Sequence, residues 1–343
     1  MMLFYVLKKL WPPILIIIAI SAVLILAESK KKREHTVEKQ SKVAIFKFSS
    51  RKTLDDTEKG YIDGLAEKGF VDGQKIAITR YNAENDLPTA YTIASAIISH
   101  KFDMVITAST PAMQVMAKAN KQGKILHLFG AVTDPFNSGV GIDRNDQFSR
   151  PGWLTGTGTF QPVKKAFLIA KAMNPGLKKV GVVWCTGETC SEACVRIARQ
   201  VCDSLSIELD EVTVDNSTGV YEAAKALVSK GVEAIWIGGD NTVEVAAGMV
   251  IKAGNEGNIP VFTNNTDHPS QGALFGLGAN YYQVGLYVGH MAAKILQGES
   301  PAGFSVENVV PEKLVFSGSQ AQKFKQKSWI INDKLKKAAD KIL

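Results

Sequence analysis

Four short segments of this 343-residue chain carry side chains that could grip a small charged ligand. They are Ser109-Thr110-Pro111, Thr133-Asp134-Pro135, Gly238-Gly239-Asp240-Asn241 and Asn264-Asn265-Thr266-Asp267. Hydroxyls and the N–H groups of a helix start suit a carboxylate. The carboxylates of Asp134, Asp240 or Asp267 suit an ammonium group. Together they would read the zwitterion of an amino acid. The same residue types also serve as plain caps and turn formers. The ligand reading therefore rests on two or more segments facing one cleft. Further candidates are Glu188, either a helix-start charge or a cleft residue, and Thr157 in a Gly- and Thr-rich stretch. Phe48, Trp153 and Trp184 stand at strand ends, as core or as aromatic walls for an apolar ligand side chain.

Other chemistry finds no constellation. The five His are scattered, with no HxxxH or HExxH spacing. No Walker A loop, no GxGxxG after a strand and no GxSxG elbow occurs. Gly276-Leu277-Gly278 is too degenerate for a phosphate site. The four Cys (185, 190, 194, 202) match no zinc template. In an oxidising compartment Cys185 and Cys190 could bridge the strand-to-helix turn; buried free thiols are the alternative. The expectation is a binding protein without cofactor or metal, and not an enzyme.

The elements that would position these segments alternate. Val43–Phe48, Lys75–Tyr81, Met104–Ala108 and Ile125–Phe129 read as strands, with helices over Leu54–Phe70, Pro88–His100 and from Pro111. This βαβ order predicts a parallel, doubly wound sheet. After a crossing strand or hinge at 152–159 the alternation restarts. Helices are expected over Val163–Met173, Cys190–Leu205, Ser217–Lys230 and Asn241–Gly254. Strands are expected over Val180–Trp184, Ile207–Val214, Ala234–Ile237 and Pro260–Phe262. Two such arrays in series predict two lobes. The tail holds a strand at Gly272–Gly278, a helix at Tyr281–Leu296 and one or two strands in Val306–Phe316. It could return to the first lobe and recross to the second. Ligands of such sheets sit at the carboxyl ends of the strands.

The net charge of +7 does not point to nucleic acid. Residues 1–40 hold seven Lys or Arg and three Glu, hence +4, which leaves only +3 for the remainder. Leu10 to Ala27 is an apolar run between Lys8-Lys9 and Lys30-Lys31-Lys32-Arg33. It reads as a membrane anchor, or as a signal segment cut at Ala27-Glu28-Ser29. Either places the remainder outside the cytoplasm.

From Val43 to about Ala339 the chain resembles the ABC-transporter substrate-binding family whose characterised members bind tryptophan, tyrosine or phenylalanine. The matching words include Gly60-Tyr61-Ile62-Asp63-Gly64-Leu65, Ala108-Ser109-Thr110-Pro111-Ala112, Ala131-Val132-Thr133-Asp134-Pro135, Asp240-Asn241-Thr242-Val243 and Tyr281-Tyr282-Gln283-Val284-Gly285. The resemblance implies a type I periplasmic binding fold, with two Rossmann-like lobes joined by three crossing segments. It places 42–157 with 279–303 in the first lobe and 158–278 with 304–343 in the second, after an anchor or signal at 1–41. It sets Ser109, Thr110, Thr133 and Asp134 on the first-lobe wall and Glu188, Asp240, Asn241 and Asp267 on the second. Cys185-Thr186 stands where the family usually has Asn-Pro. The implied partners are an amino acid, with an aromatic one suggested, and an ABC permease. A membrane-tethered sensor of the same architecture is the alternative.

Overall fold

The computed structural model describes Trp11, residues 18–24 and residues 40–343. Most of the run expected as an anchor, its basic flanks and the Ala27-Glu28-Ser29 site lie outside the described residues. Residues 18–24 are helical. Among the described residues no helix is long and apolar enough to cross a membrane.

The chain from Ser41 onward alternates as its pattern predicts. The first half runs β1 (Ser41–Lys47), α1 (Lys52–Glu67), β2 (Ile76–Asn82), α2 (Leu87–Ser99), β3 (Met104–Ala108), α3 (Thr110–Ala119), β4 (Leu126–Val132) and β5 (Leu154–Gly158). The second runs α4 (Val163–Met173), β6 (Lys179–Cys185), α5 (Thr189–Leu205), β7 (Glu208–Val214), α6 (Val220–Ser229), β8 (Ala234–Ile237), α7 (Asn241–Val245), α8 (Ala247–Glu256), β9 (Val261–Thr263) and β10 (Phe275–Ala279). The tail adds α9 (Tyr281–Leu296), β11 (Glu307–Asn308), β12 (Glu312–Phe316), α10 (Gly318–Phe324), α11 (Asp333–Ala338) and β13 (Lys341–Ile342).

These strands form two sheets, ordered β11-β5-β4-β3-β1-β2 and β13-β12-β10-β9-β8-β6-β7. Every pairing is parallel except β10 with β12. All five residues of β3 are buried, as a central parallel strand covered on both faces must be. Ile45, Ile106 and Leu128 on one face pack against α1 and α9, and Phe46, Val105 and Ala94 fill the other. In the second sheet Phe167, Trp236 and Phe262 form an aromatic core on one face.

The chain crosses between sheets three times, after β5, after β10 and after β11. The last crossing falls later than expected. Glu307–Asn308 still pair with Thr157–Gly158 in the first sheet, so the segment expected in the second lobe from 304 leaves the first only at 309–311. The apolar stretch beyond Asn241 also differs from expectation. It is two helices, because Ala246 leaves helical geometry at φ −108° and ψ 18°.

The tail helix α9 returns to lie against α1, and glycines set the distance between them. A Cβ on Gly60 would stand 2.7 Å from the Gly285 Cα, and the backbone oxygen of Tyr282 would be nearer still. Gly64 faces Gly289 in the same way. A Gly60→Ala variant should lose about 1–3 kcal/mol of stability through overpacking, read as a lower urea midpoint; an unchanged midpoint would remove this account of the contact.

His127 lies fully buried in β4, bonded to the Thr107 hydroxyl at 2.9 Å and stacked on Trp153. Burial depresses its ring to about 3 from the usual 6.5. The folded state therefore holds a neutral ring where the unfolded chain takes up a proton. Its contribution should be intact above pH 6.5 and decline as pH falls toward 3. Unfolding at pH 7.5 and 4.5, with the ring followed by NMR, checks this; protonation of the folded ring near pH 6 would refute it.

Candidate functional site

Loops at the carboxyl ends of the strands meet in a cavity of about 20 Å³ between the two sheets. On the first-lobe side β3 ends at Ser109, held at φ +97° as the N-cap of α3. A non-glycine residue there stores backbone strain of the kind found at ligand sites. The Ser109 hydroxyl accepts the Ala112 N–H at 3.4 Å, and the Thr110 hydroxyl accepts the Thr133 N–H at 3.2 Å. Each is the acceptor in its bond, which leaves its own hydrogen to donate.

The end of β1 supplies the cation. Arg51 lines the cavity and reaches across to the second lobe. Its Nη2 donates to Asn241 Oδ1 at 2.5 Å, and its Nη1 lies 3.9 Å from the Glu244 carboxylate. Its Nε is buried without a partner. The hydroxyl of neighbouring Thr53 is also buried and unpartnered, at the first turn of α1, whose N–H groups favour negative charge.

The second lobe supplies the anion. Glu244, on α7, is held by the Asn265 amide at 2.9 Å and by His268 Nε2 at 3.4 Å. Burial pushes its carboxyl up, but His268, Arg51 and Asn265 outweigh that and leave it below the usual range. Gln161, from the first crossing, donates its amide to the Tyr281 hydroxyl. Its carbonyl oxygen remains buried and unpartnered beside the cavity. Burial pushes the Tyr281 hydroxyl well above its usual value, so it stays neutral.

The sequence profile of the family described as ABC transporter substrate binding protein matches residues 42–343. The chain belongs to that family. The tyrosine-binding protein of Clostridioides difficile (strain R20291) is 29% identical to this binding protein over 290 residues, spanning 84% of this chain and 82% of that one. Among solved structures, an ABC domain in complex with L-Trp from Streptococcus pneumonia superposes with a TM-score of 0.82 at 25% identity. That match covers 89% of this chain and 100% of the other. A ligand-free, open substrate binding protein with adhesive properties from Clostridium difficile superposes with a TM-score of 0.63 at 30% identity, covering 83% and 95%. These relatives bind solutes and are not enzymes, and neither is this binding protein.

Of the residues singled out from sequence, Ser109, Thr110, Thr133 and Asn241 line the cavity of this binding protein. The acids chosen for an ammonium group are engaged elsewhere. Asp240 N-caps α7 through Val243 N–H and accepts from Cys185 N–H and the Ser191 hydroxyl, at 2.8, 2.6 and 2.5 Å. Burial and the charge of Glu188 push Asp240 up to about 7, against donors that favour its ionised form. Glu188 accepts from the backbone and side chains of both Asn241 and Thr242. Asp134 pairs with Arg144 at 2.9 Å and Asn137 at 2.7 Å. Asp267 lies 3.9 Å from Lys52 at a separate rim pocket. Thr157 donates to the Glu307 carbonyl and so ties β5 to β11.

The aromatic candidates lie elsewhere too. Phe48 is buried in the first-lobe core with Ala83 and Ala90. Trp153 stacks on His127, and Trp184 donates to Glu211. Arg51, Thr53, Gln161, Glu244 and Tyr281 also line the cavity, and no binding motif in the sequence marks them. For Arg51 the signal was positional, since it follows β1 as Ser109 follows β3. Asn265 lies in the Asn264–Asp267 segment, where the sequence points to Asp267 instead.

Of the two readings of the cysteines, the structure has the buried free thiols and no Cys185–Cys190 bridge. All four cysteines are buried and free, and the Cys190 thiol donates instead to Glu188 at 3.2 Å. Burial first, then the nearby carboxylates, raise the Cys190 thiol well above its usual range, so it is a poor nucleophile. Thiol titration of the unfolded, non-reduced protein should count four groups; two would restore the bridge.

Proposed function

We propose that this protein captures the zwitterion of an amino acid between its lobes, closes on it by a hinge motion and presents the closed form to an ABC permease. The observation that carries the reading is the divided charge of the cavity. Arg51, the hydroxyls of Ser109 and Thr110 and two helix starts face it from one lobe, while Glu244 faces it from the other. Arg51 and Glu244 stand 3.9 Å apart with only part of their bonding capacity used. A carboxylate toward the first and an ammonium toward the second would complete both. The tyrosine and L-Trp named for two relatives support an amino-acid ligand.

Two findings support closure. The better superposition is with the L-Trp complex and not with the ligand-free, open relative, although the latter is the more similar in sequence. Contacts also run between the lobes, through Arg51 to Asn241 and Glu244, Lys52 to Asp267, and Arg196 to Asp134. A ligand that bridges the two walls binds the closed state better and so shifts the population toward it. The apolar run Leu10 to Ala27, between two basic clusters, would tether the protein at the membrane with the lobes outside.

Melting with each amino acid in turn tests the reading. A true ligand at about 100 times its dissociation constant should add roughly 2.7 kcal/mol of stability. Glu244→Gln keeps the shape but removes the charge, and should weaken binding by about tenfold to a hundredfold, the worth of one charged hydrogen bond. Absence of a shift with every amino acid would sink the zwitterion model.

A further inference from the structure

We infer that Asp240 and Glu188 hold one proton between them behind the second-lobe wall, and that a ligand's ammonium arriving at Glu244 drives it off. The second half rests on the amino-acid reading above; the first does not. Both acids are buried, at 3% and 8% exposure. Among the described residues no Lys or Arg pairs with either one. Their partners are the first turns of α5 and α7, through Cys190 and Ser191 on one and Asn241 to Val243 on the other. Helix starts favour negative charge. Two charges in one dry shell nonetheless repel, and such a pair gives up only one of its protons readily.

The donors decide where the proton sits. Glu188 receives the N–H and the side chain of both Asn241 and Thr242, and the Cys190 thiol. Asp240 receives fewer: Val243 N–H, Cys185 N–H and the Ser191 hydroxyl. Asp240 therefore takes the proton. Ser191 Oγ lies 2.5 Å from its Oδ2 and can turn from donor to acceptor, while the two N–H groups keep their bonds. Burial, then the charge of Glu188, raise Asp240 to about 7 in keeping with this.

The other ionisable neighbours supply no compensating charge. Cys185 on β6 and Cys190 and Cys194 on α5 are held neutral by burial. Asp134, which faces Cys194 from the first lobe, has Arg144 and Arg196 about it. Glu244 follows Asp240 by one turn of α7, about 6 Å along, with His268 and Arg51 beside it. A ligand ammonium set against Glu244 brings a positive charge to that turn. It favours the ionised form of Asp240, and the proton passes to the buffer. Affinity should then be greatest above pH 7 and fall as pH drops through it.

Infrared spectra of the full chain without ligand test the shared proton. The band of a protonated carboxyl should be present at pH 6, gone at pH 8 and missing from Asp240→Asn. Ser191→Ala removes a hydroxyl that favours the ionised form, so its band should persist to higher pH; this variant serves if Asp240→Asn does not fold. No band at pH 6, or an unmoved midpoint in Ser191→Ala, overturns the inference. Isothermal titration with L-tyrosine and L-tryptophan tests the coupling. A ligand that lowers Asp240 by one pH unit should bind about tenfold more tightly at pH 8 than at pH 5.5. That dependence should move upward in Ser191→Ala and vanish in Asp240→Asn. Equal affinity at both pH values, or a dependence that survives in Asp240→Asn and so belongs to His268, overturns the coupling. Binding of no amino acid at either pH, with the band present, overturns the amino-acid reading and leaves the shared proton standing.

Discussion

A cation from one lobe and an anion from the other meet part-buried in the cleft, and the cation keeps one N–H without a partner. The rest of the cleft follows from that constraint. Burying a charge is costly unless it is paired and hydrogen-bonded. Glu244 meets the requirement through Asn265 and His268. Arg51 meets it through Asn241, and its Nε is left over. Because the two charges belong to different lobes, their pairing also fixes how the lobes meet. On the proposed function, a ligand that completed both charges would stabilise the same arrangement, and recognition and closure would draw on one set of contacts.

Behind the cavity a second pair of acids sets where the loops run. Asp240 and Glu188 are both buried, and they repel each other. Each is compensated by a dense set of donors from the starts of α5 and α7 and the end of β6. Removing either would leave several buried N–H groups without an acceptor. These carboxylates therefore hold Asn241 and Thr242 in place, and Asn241 in turn receives Arg51. On the other side the glycine contact between α1 and α9 fixes the start of α1, where Arg51 and Thr53 stand. Contacts on both walls thus hold the cavity groups in place, as a preorganised site requires.

Much of the fold was legible in the chain. The alternation of apolar runs with amphipathic stretches gives parallel strands and helices in order. Asp240 acts as a cap, as its residue type suggests, while the cap of α3 is Ser109, one residue earlier than a helix from Pro111 would place it. The helix break at Ala246 and the late crossing after Asn308 were not legible. Pro311 stands in the late crossing and Gly248 just beyond the helix break, but neither says where its element ends; each depends on what the segment packs against.

The sequence by itself determined the architecture and which strand ends face the cleft, because hydrophobic period and capping are local properties. It could not decide which polar residue in each segment is spent on its own loop and which is left for a ligand. Asp240 looked available, yet backbone donors from Cys185 and Val243 occupy it. Arg51 looked like a surface cation, yet its partner lies 190 residues away. Only the tertiary structure makes that division, since it depends on which donors and acceptors burial brings together and which it leaves unpaired.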